Sequence, residues 1–181
     1  PQRAASDRVA WWHDRRGDLL ELMHGRDSAY VYDAATIDRH AADLRALSSV
    51  SRVLYAMKAN PHPEVLRHAV RAGLGIECVS RGELEHALAS VPGLAPSDLL
   101  FTPNFAPRAE YAEALARGVR VTVDNLSVLE RWPALFAGHE ILLRFDLGRG
   151  LGHHDKVKTG GEKSKFGIAA AEIDAAARLA S

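Results

Sequence analysis

One lysine stands where chemistry is easiest to build. In Tyr55-Ala56-Met57-Lys58-Ala59-Asn60 it directly follows a short apolar run and precedes an Asn60-Pro61 stop. If the run is a strand of a parallel sheet, Lys58 lies at the sheet's C-terminal mouth, the edge where such folds bind ligands. A lysine there is partly desolvated and offers a nucleophilic amine, which can form a Schiff base with an aldehyde cofactor. The plainer reading is a surface lysine whose charge snorkels off the sheet edge, and this feature alone favours it.

Other reactive groups carry less. Cys78 sits in an apolar run and reads as a small buried residue rather than a nucleophile. His153-His154-Asp155 are neighbours that point different ways, with no second cluster, so no metal site is expected. Gly148-Arg149-Gly150-Leu151-Gly152 follows a strand but leads into more loop and lacks dinucleotide spacing. Gly160-Gly161-Glu162-Lys163-Ser164 looks like a phosphate loop but has Glu162 intervening and no glycine at the required earlier place.

The elements that position Lys58 follow from hydrophobic periodicity. A helix is predicted within 11–23, a β-type run at 29–32, and a helix after Asp33 and Thr36, the candidate caps, with apolar positions continuing to Leu47. Strands are then predicted at 53–56, 75–79, 99–101, 119–123 and 141–145. Between them lie helices at 63–72, stopped by Gly73; at 81–89, capped by Ser80 with Glu83 in a capping box; from Pro107 to Gly118; and from Asn125 through Phe136. A long glycine-rich loop, 147–167, precedes one more helical stretch. Strands recurring at roughly 20 to 25 residues with helices between them mean repeated βα units and a parallel sheet, either doubly wound or a β/α barrel. The residues just past each strand therefore matter most: Lys58, Ser80, Asn104, Asp124 and the 146–167 loop.

Composition bounds the partners. Lys+Arg and Asp+Glu are both 23, so no global charge argues for nucleic acid or an anionic membrane surface. One cysteine precludes an internal disulfide framework and fits a reducing, cytoplasmic compartment. No run of about 18 apolar residues suggests a membrane span. The start at Pro1 and the stop inside an alanine-rich helical pattern lead to the expectation of a piece of a longer chain.

Several ordered motifs carry a resemblance. Tyr55-Ala56-Met57-Lys58-Ala59-Asn60 resembles the lysine signature of the pyridoxal-phosphate decarboxylases that act on diaminopimelate, ornithine and arginine, which share an alanine-racemase-like barrel. Glu77-Cys78-Val79-Ser80-Arg81-Gly82-Glu83-Leu84, Phe101-Thr102-Pro103-Asn104 and Val123-Asp124-Asn125 are similar to the family's next three strand ends, and Arg144 stands where the family has an arginine on the fifth strand. Lys158-Thr159-Gly160-Gly161 and Ser164-Lys165-Phe166-Gly167 resemble the diaminopimelate branch; the ornithine branch keeps only the Lys-Phe-Gly part. The lead-in and the Leu-Gly-Arg-Gly-Leu-Gly-His-His loop look most like the decarboxylase half of fusions with an aspartate kinase.

The resemblance implies an α/β fold: a lead-in helix at 1–29, then at 30–181 the N-terminal part of a pyridoxal-phosphate-binding (β/α)8 barrel, with about five of its eight units. It implies pyridoxal 5'-phosphate as cofactor, Lys58 as its Schiff-base lysine, and decarboxylation of meso-2,6-diaminopimelate to L-lysine. Glu77, where the family often has aspartate, would pair with the lysine or lie near the cofactor, or else be a solvated charge. Arg144 would contact a cofactor oxygen, pair with an acid, or form a structural ion pair. Asn104 would line the pocket or simply make a turn, while Ser164 and Lys165 would fix loop geometry. The rest of the barrel and a β-domain are expected downstream, so this stretch alone is expected to be inactive, with an exposed apolar sheet edge, and the whole protein to be a homodimer. An ornithine- or arginine-type decarboxylase, or a non-catalytic homologue that binds a decarboxylase partner, are the competing readings.

Overall fold

The structure is a computed structural model that describes residues 10–148 and 165–180. The lead-in forms two short helices, α1 (Trp11–Asp14) and α2 (Arg16–Leu22), separated at Arg15, and neither buries a residue. The helix α3 (Ala34–Arg45) begins where predicted: the Asp33 carboxylate accepts from the Thr36 N–H at 2.8 Å, satisfying a donor that a helix start otherwise leaves open. Residues 29–32 correct the sequence reading. They form no strand, and Tyr30 is 92% exposed, because an extended apolar run becomes a strand only when a neighbour completes its hydrogen bonds.

From there the chain alternates. The strand β1 (Leu54–Ala56) runs into a 3-10 turn, Met57–Ala59, and then α4 (Pro63–Arg71). The strand β2 (Gly75–Cys78) leads to α5 (Arg81–Ser90), β3 (Leu99–Phe101) to α6 (Arg108–Ala116), and β4 (Arg120–Val123) to α7 (Leu126–Arg131). With β5 (Ile141–Leu143) these strands make one parallel sheet in the order β1-β2-β3-β4-β5. Each helix returns the chain to the sheet's starting edge, so all strand C-termini share the other edge.

Turn chemistry explains the regularity. The α4 helix ends with Gly73 at φ +82°, its N–H on the Val70 carbonyl and the Leu74 N–H on the Ala69 carbonyl. Gly118 ends α6 in the same way, on Leu115 and Ala114. In both, a left-handed glycine closes the helix and turns the chain into the next strand. Ser80 caps α5 by accepting from the Glu83 N–H, while the Glu83 carboxylate reaches the Val79 N–H at 2.7 Å, one residue earlier than a capping box places it.

The sheet's two faces differ in character. Ile76, Cys78, Leu99, Phe101, Val121 and Val123 are wholly buried under the helices, against residues such as Leu66, Leu84, Tyr111 and Leu129. Burial of each large apolar side chain is worth about 1.5–3 kcal/mol, so this layer holds the unit together. The strand registers place Ala56, Glu77, Leu100 and Arg120 level with one another, and Thr122 beside Leu142, on the opposite face.

Two further expectations are corrected. The helix after Asn125 does not run through to Phe136: it stops at Arg131, and α8 (Pro133–Phe136) starts afresh, because Pro133 has no N–H to continue the ladder. The predicted strand at 141–145 divides its pairing. Past β5, the strand β6 (Phe145–Asp146) pairs in parallel with a seventh short strand, β7 (Ile168–Ala169), which the sequence reading missed. Arg144 is the seam: its N–H donates to the Val123 carbonyl at 2.9 Å and its carbonyl accepts from Ile168 at 2.8 Å. The last helix, α9 (Ile173–Ala180), packs against α7.

Candidate functional site

The four residues singled out by sequence lie at or just past the C-terminal ends of the strands. Lys58 is carried by the 3-10 turn after β1, Glu77 by β2, Asn104 by the loop after β3, and Arg144 by the residue between β5 and β6. Strand alternation puts Glu77 and Arg144 on the face away from the helices; Lys58 is carried by a 3-10 turn, where that alternation does not hold.

Lys58 is exposed, which corrects the expectation of partial desolvation: no described element packs over the mouth at that point. Among the described residues its amine has no hydrogen-bond or ion-pair partner. It borders a cavity of about 740 Å³ that Met57, Asn60, His62, Ser80 and His86 also line. A nearby cavity of about 600 Å³, between the lead-in and the end of β1, shares Asn60 and His62 but not Lys58. The His86 ring sits 2.7 Å from the Pro61 carbonyl and ties α5 to the turn that presents Lys58.

Glu77 does not pair with Lys58 among the described residues. Its carboxylate accepts a hydrogen bond from the Thr102 hydroxyl on β3's continuation. That bond orients the acid across the strand end and satisfies one oxygen. Thr102 was seen in the sequence as part of a motif but not as a site residue, although its place two residues after Leu100 puts it on the same face as Leu100.

Asn104 bridges two elements. Its side-chain nitrogen donates to the Asp124 carboxylate at 2.7 Å and to the Lys165 carbonyl at 3.2 Å. Asp124, only 4% exposed, was marked in the sequence as a strand-end residue and part of a motif but was given no role. On the helix side of the sheet, the Tyr111 hydroxyl is buried without a hydrogen-bond partner among the described residues, and burial together with the Asp124 charge pushes its ionisation upward.

Arg144 does not pair with an acid among the described residues. Its guanidinium lies over the Phe166 ring, 4.7 Å from the centroid. The Lys-Phe-Gly motif thus has a physical basis. Phe166 is a shelf for the arginine, and Gly167, at φ +86°, allows the turn to pass so close to β6 that a Cβ would meet the Asp146 nitrogen at 2.8 Å. Ser164, His153-His154-Asp155 and Lys158-Thr159-Gly160-Gly161 lie outside the described residues. No cluster of three or more His, Cys, Asp or Glu able to hold a metal exists among the described residues. Among them, no helix is long and apolar enough to cross a membrane.

An unpaired amine, an oriented carboxylate and a guanidinium held on an aromatic ring thus share one edge. The set can engage an aldehyde through nitrogen and hold anionic or phenolic oxygens.

Comparison with known proteins places this edge in context. The family described as pyridoxal-dependent decarboxylase, pyridoxal binding domain, matches residues 34–181. The diaminopimelate decarboxylase of Escherichia coli (strain K12) is 34% identical over 149 residues, covering 81% of this chain and 35% of the relative. That of Methanothermobacter thermautotrophicus is 38% identical over 156 residues, covering 83% and 36%. The chain therefore spans about a third of the length of these curated relatives. A crystal structure of diaminopimelate decarboxylase superposes with a TM-score of 0.76 at 32% identity, over 90% of this chain and 39% of that one. The lysine/ornithine decarboxylase of Vibrio vulnificus, complexed with putrescine, superposes at 0.67 with 25% identity, over 90% and 42%. The parallel sheet is thus the N-terminal part of the barrel seen in diaminopimelate decarboxylase.

Proposed function

We propose, for a chain that belongs to the pyridoxal-dependent decarboxylase family and carries its pyridoxal-binding domain, that the whole protein decarboxylates meso-2,6-diaminopimelate to L-lysine and carbon dioxide. The observation that carries this reading is the placement of Lys58, Glu77, Asn104 and Arg144 at one sheet edge, in a sequence 34% identical to a diaminopimelate decarboxylase.

The described residues fit pyridoxal phosphate. Lys58 supplies an amine with no competing partner among the described residues, and Arg144 supplies a guanidinium already aimed by Phe166. In this reading Lys58 holds the cofactor through Nζ. Glu77, fixed by the Thr102 hydroxyl, sets the electrostatics beside that nitrogen, and Arg144 and Asn104 line the pocket. When bound, the cofactor supplies an electron sink for the pair left as carbon dioxide departs. Lys58 Nζ, once released, is the chain's group for moving a proton at the mouth. The protein is read as a cytoplasmic homodimer taking a small amino acid as substrate, and as the decarboxylase half of an aspartate-kinase fusion. The lead-in and the 147–154 sequence support the fusion.

The test is carbon dioxide release by the whole protein from meso-diaminopimelate, ornithine, arginine and lysine, with absorbance of bound pyridoxal phosphate followed in wild type and Lys58→Ala. Turnover of diaminopimelate at least roughly 100-fold above the others is expected, a margin of about 2.7 kcal/mol, together with a cofactor band that Lys58→Ala abolishes. Preference for ornithine or arginine would move the substrate to that branch. No lysine-dependent band would end the enzyme reading in favour of a partner-binding homologue.

A further inference from the structure

We propose that Asp124 is a positioning residue for the cofactor pocket: acting through the Asn104 amide and the Lys165–Phe166–Gly167 turn, it sets the placement of the Arg144 guanidinium. The inference rests on the reading of Arg144 as a pocket residue and extends it to a buried acid that acts through its neighbours.

The argument begins with a cost. Asp124 is 4% exposed, and a carboxylate taken from water needs a partner. Its partner is the Asn104 side-chain nitrogen at 2.7 Å. A carboxylate only accepts, so it dictates which way the amide faces: nitrogen toward Asp124, oxygen away. That nitrogen has a second hydrogen, and it goes to the Lys165 carbonyl at 3.2 Å. One amide therefore clamps the end of β4 to a turn far along the chain, and the acid fixes the amide's sense. Were the amide to flip, its oxygen would face the Lys165 carbonyl oxygen, and the clamp would repel instead of hold.

The other end of the turn is held through the backbone. The Ile168 N–H donates to the Arg144 carbonyl at 2.8 Å, and Gly167 packs on the backbone of β6. Between the two anchors is Phe166, whose ring carries the arginine at 4.7 Å. Losing the Asp124 charge removes what holds the first anchor, and the shelf under Arg144 is then tied at one end only.

The test uses the whole protein with Asp124→Asn, Arg144→Lys and the double variant. Hydrogen exchange is read at the Ile168 amide, with the Thr102 amide, bonded to the Cys78 carbonyl at 2.8 Å, as an internal reference for the sheet. Pyridoxal phosphate is titrated by absorbance. Asp124→Asn is expected to speed exchange at Ile168 roughly tenfold while Thr102 stays protected, and to weaken cofactor binding by about the same factor. The double variant is expected to bind no more weakly than Arg144→Lys alone, within about twofold, since both changes remove one function. Unchanged exchange at Ile168, or losses that multiply in the double variant, would overturn the proposal. If Asp124→Asn does not fold, Asn104→Ala opens the same clamp from its exposed side, and a protected Ile168 there overturns the proposal equally. A wild-type protein that binds no pyridoxal phosphate would instead sink the proposed function, while exchange at Ile168 would still report on the clamp.

Discussion

The Arg144 guanidinium rests over the Phe166 ring with its central carbon 4.7 Å from the centroid, and the two residues are joined again through the backbone bond from Ile168 to the Arg144 carbonyl. Such a cation–ring contact is worth about 0.5–2 kcal/mol, more where water is excluded. Phe166→Leu keeps apolar bulk but loses the ring's negative face. Its expected effect is a loss of about 1 kcal/mol in cofactor binding, near fivefold in Kd, read by absorbance titration. Unaltered binding would show that the ring does not aim the arginine.

Gly167 makes a sharper prediction. Its φ of +86° disfavours any side chain, and a Cβ would lie 2.8 Å from the Asp146 nitrogen. Gly167→Ala is expected to cost about 1–3 kcal/mol through strain at that φ and the contact together. Urea denaturation would register it as a lower midpoint, with an unchanged midpoint counting against the close approach.

Cys78 lies wholly buried, its thiol 3.6 Å from the Met57 sulfur. Burial, then the nearby charges of Glu83 and Glu77, push the thiol up to about 12 from 9.0. The folded protein keeps this proton at pH values where the unfolded chain loses it. The contribution to stability is therefore whole below about pH 9 and is lost as pH rises from about 9 to about 12. The native protein should resist iodoacetamide at pH 8. Its melting temperature should fall above pH 9, less steeply in Cys78→Ala. Rapid alkylation at pH 8 would contradict this.

Tyr111 predicts a gain. Its ring packs edge-on to Phe101 and Phe136 at 5.9 and 5.7 Å, but its buried hydroxyl has no partner among the described residues. Tyr111→Phe keeps the packing and removes the unsatisfied group, so stability should rise by about 1 kcal/mol. A lower melting temperature in the variant would mean that the hydroxyl is bonded in solution.

The βα repeat was legible because its punctuation is local. Asp33, Ser80 and Asn125 cap the helices predicted after them, and Gly73 closes α4 through its own backbone angle. What failed depended on neighbours. The run at 29–32 has strand composition but no described partner, and β7 is two residues whose pairing is set by Arg144 and Phe145, far back in the sequence. The break at Pro133 was readable from proline alone but was passed over. In the site, the types and edge positions of Lys58, Glu77, Asn104 and Arg144 came from sequence, but their immediate partners did not. Thr102, Asp124 and Phe166 acquire their meaning from cross-strand neighbours, and the exposure of Lys58 depends on what packs over the mouth.

The alternation along β2 sets a limit on how this chain can vary. Glu77 and Cys78 are adjacent in sequence, yet one meets Thr102 across the site and the other is sealed beneath helices. Adding or deleting a single residue within the strand before them would exchange their places. An ionised acid would enter the apolar layer and a thiol would replace it beside Thr102. A length change within the strand is therefore costly. A lineage of such proteins must keep count of its residues on the way to the mouth as strictly as it keeps their types there.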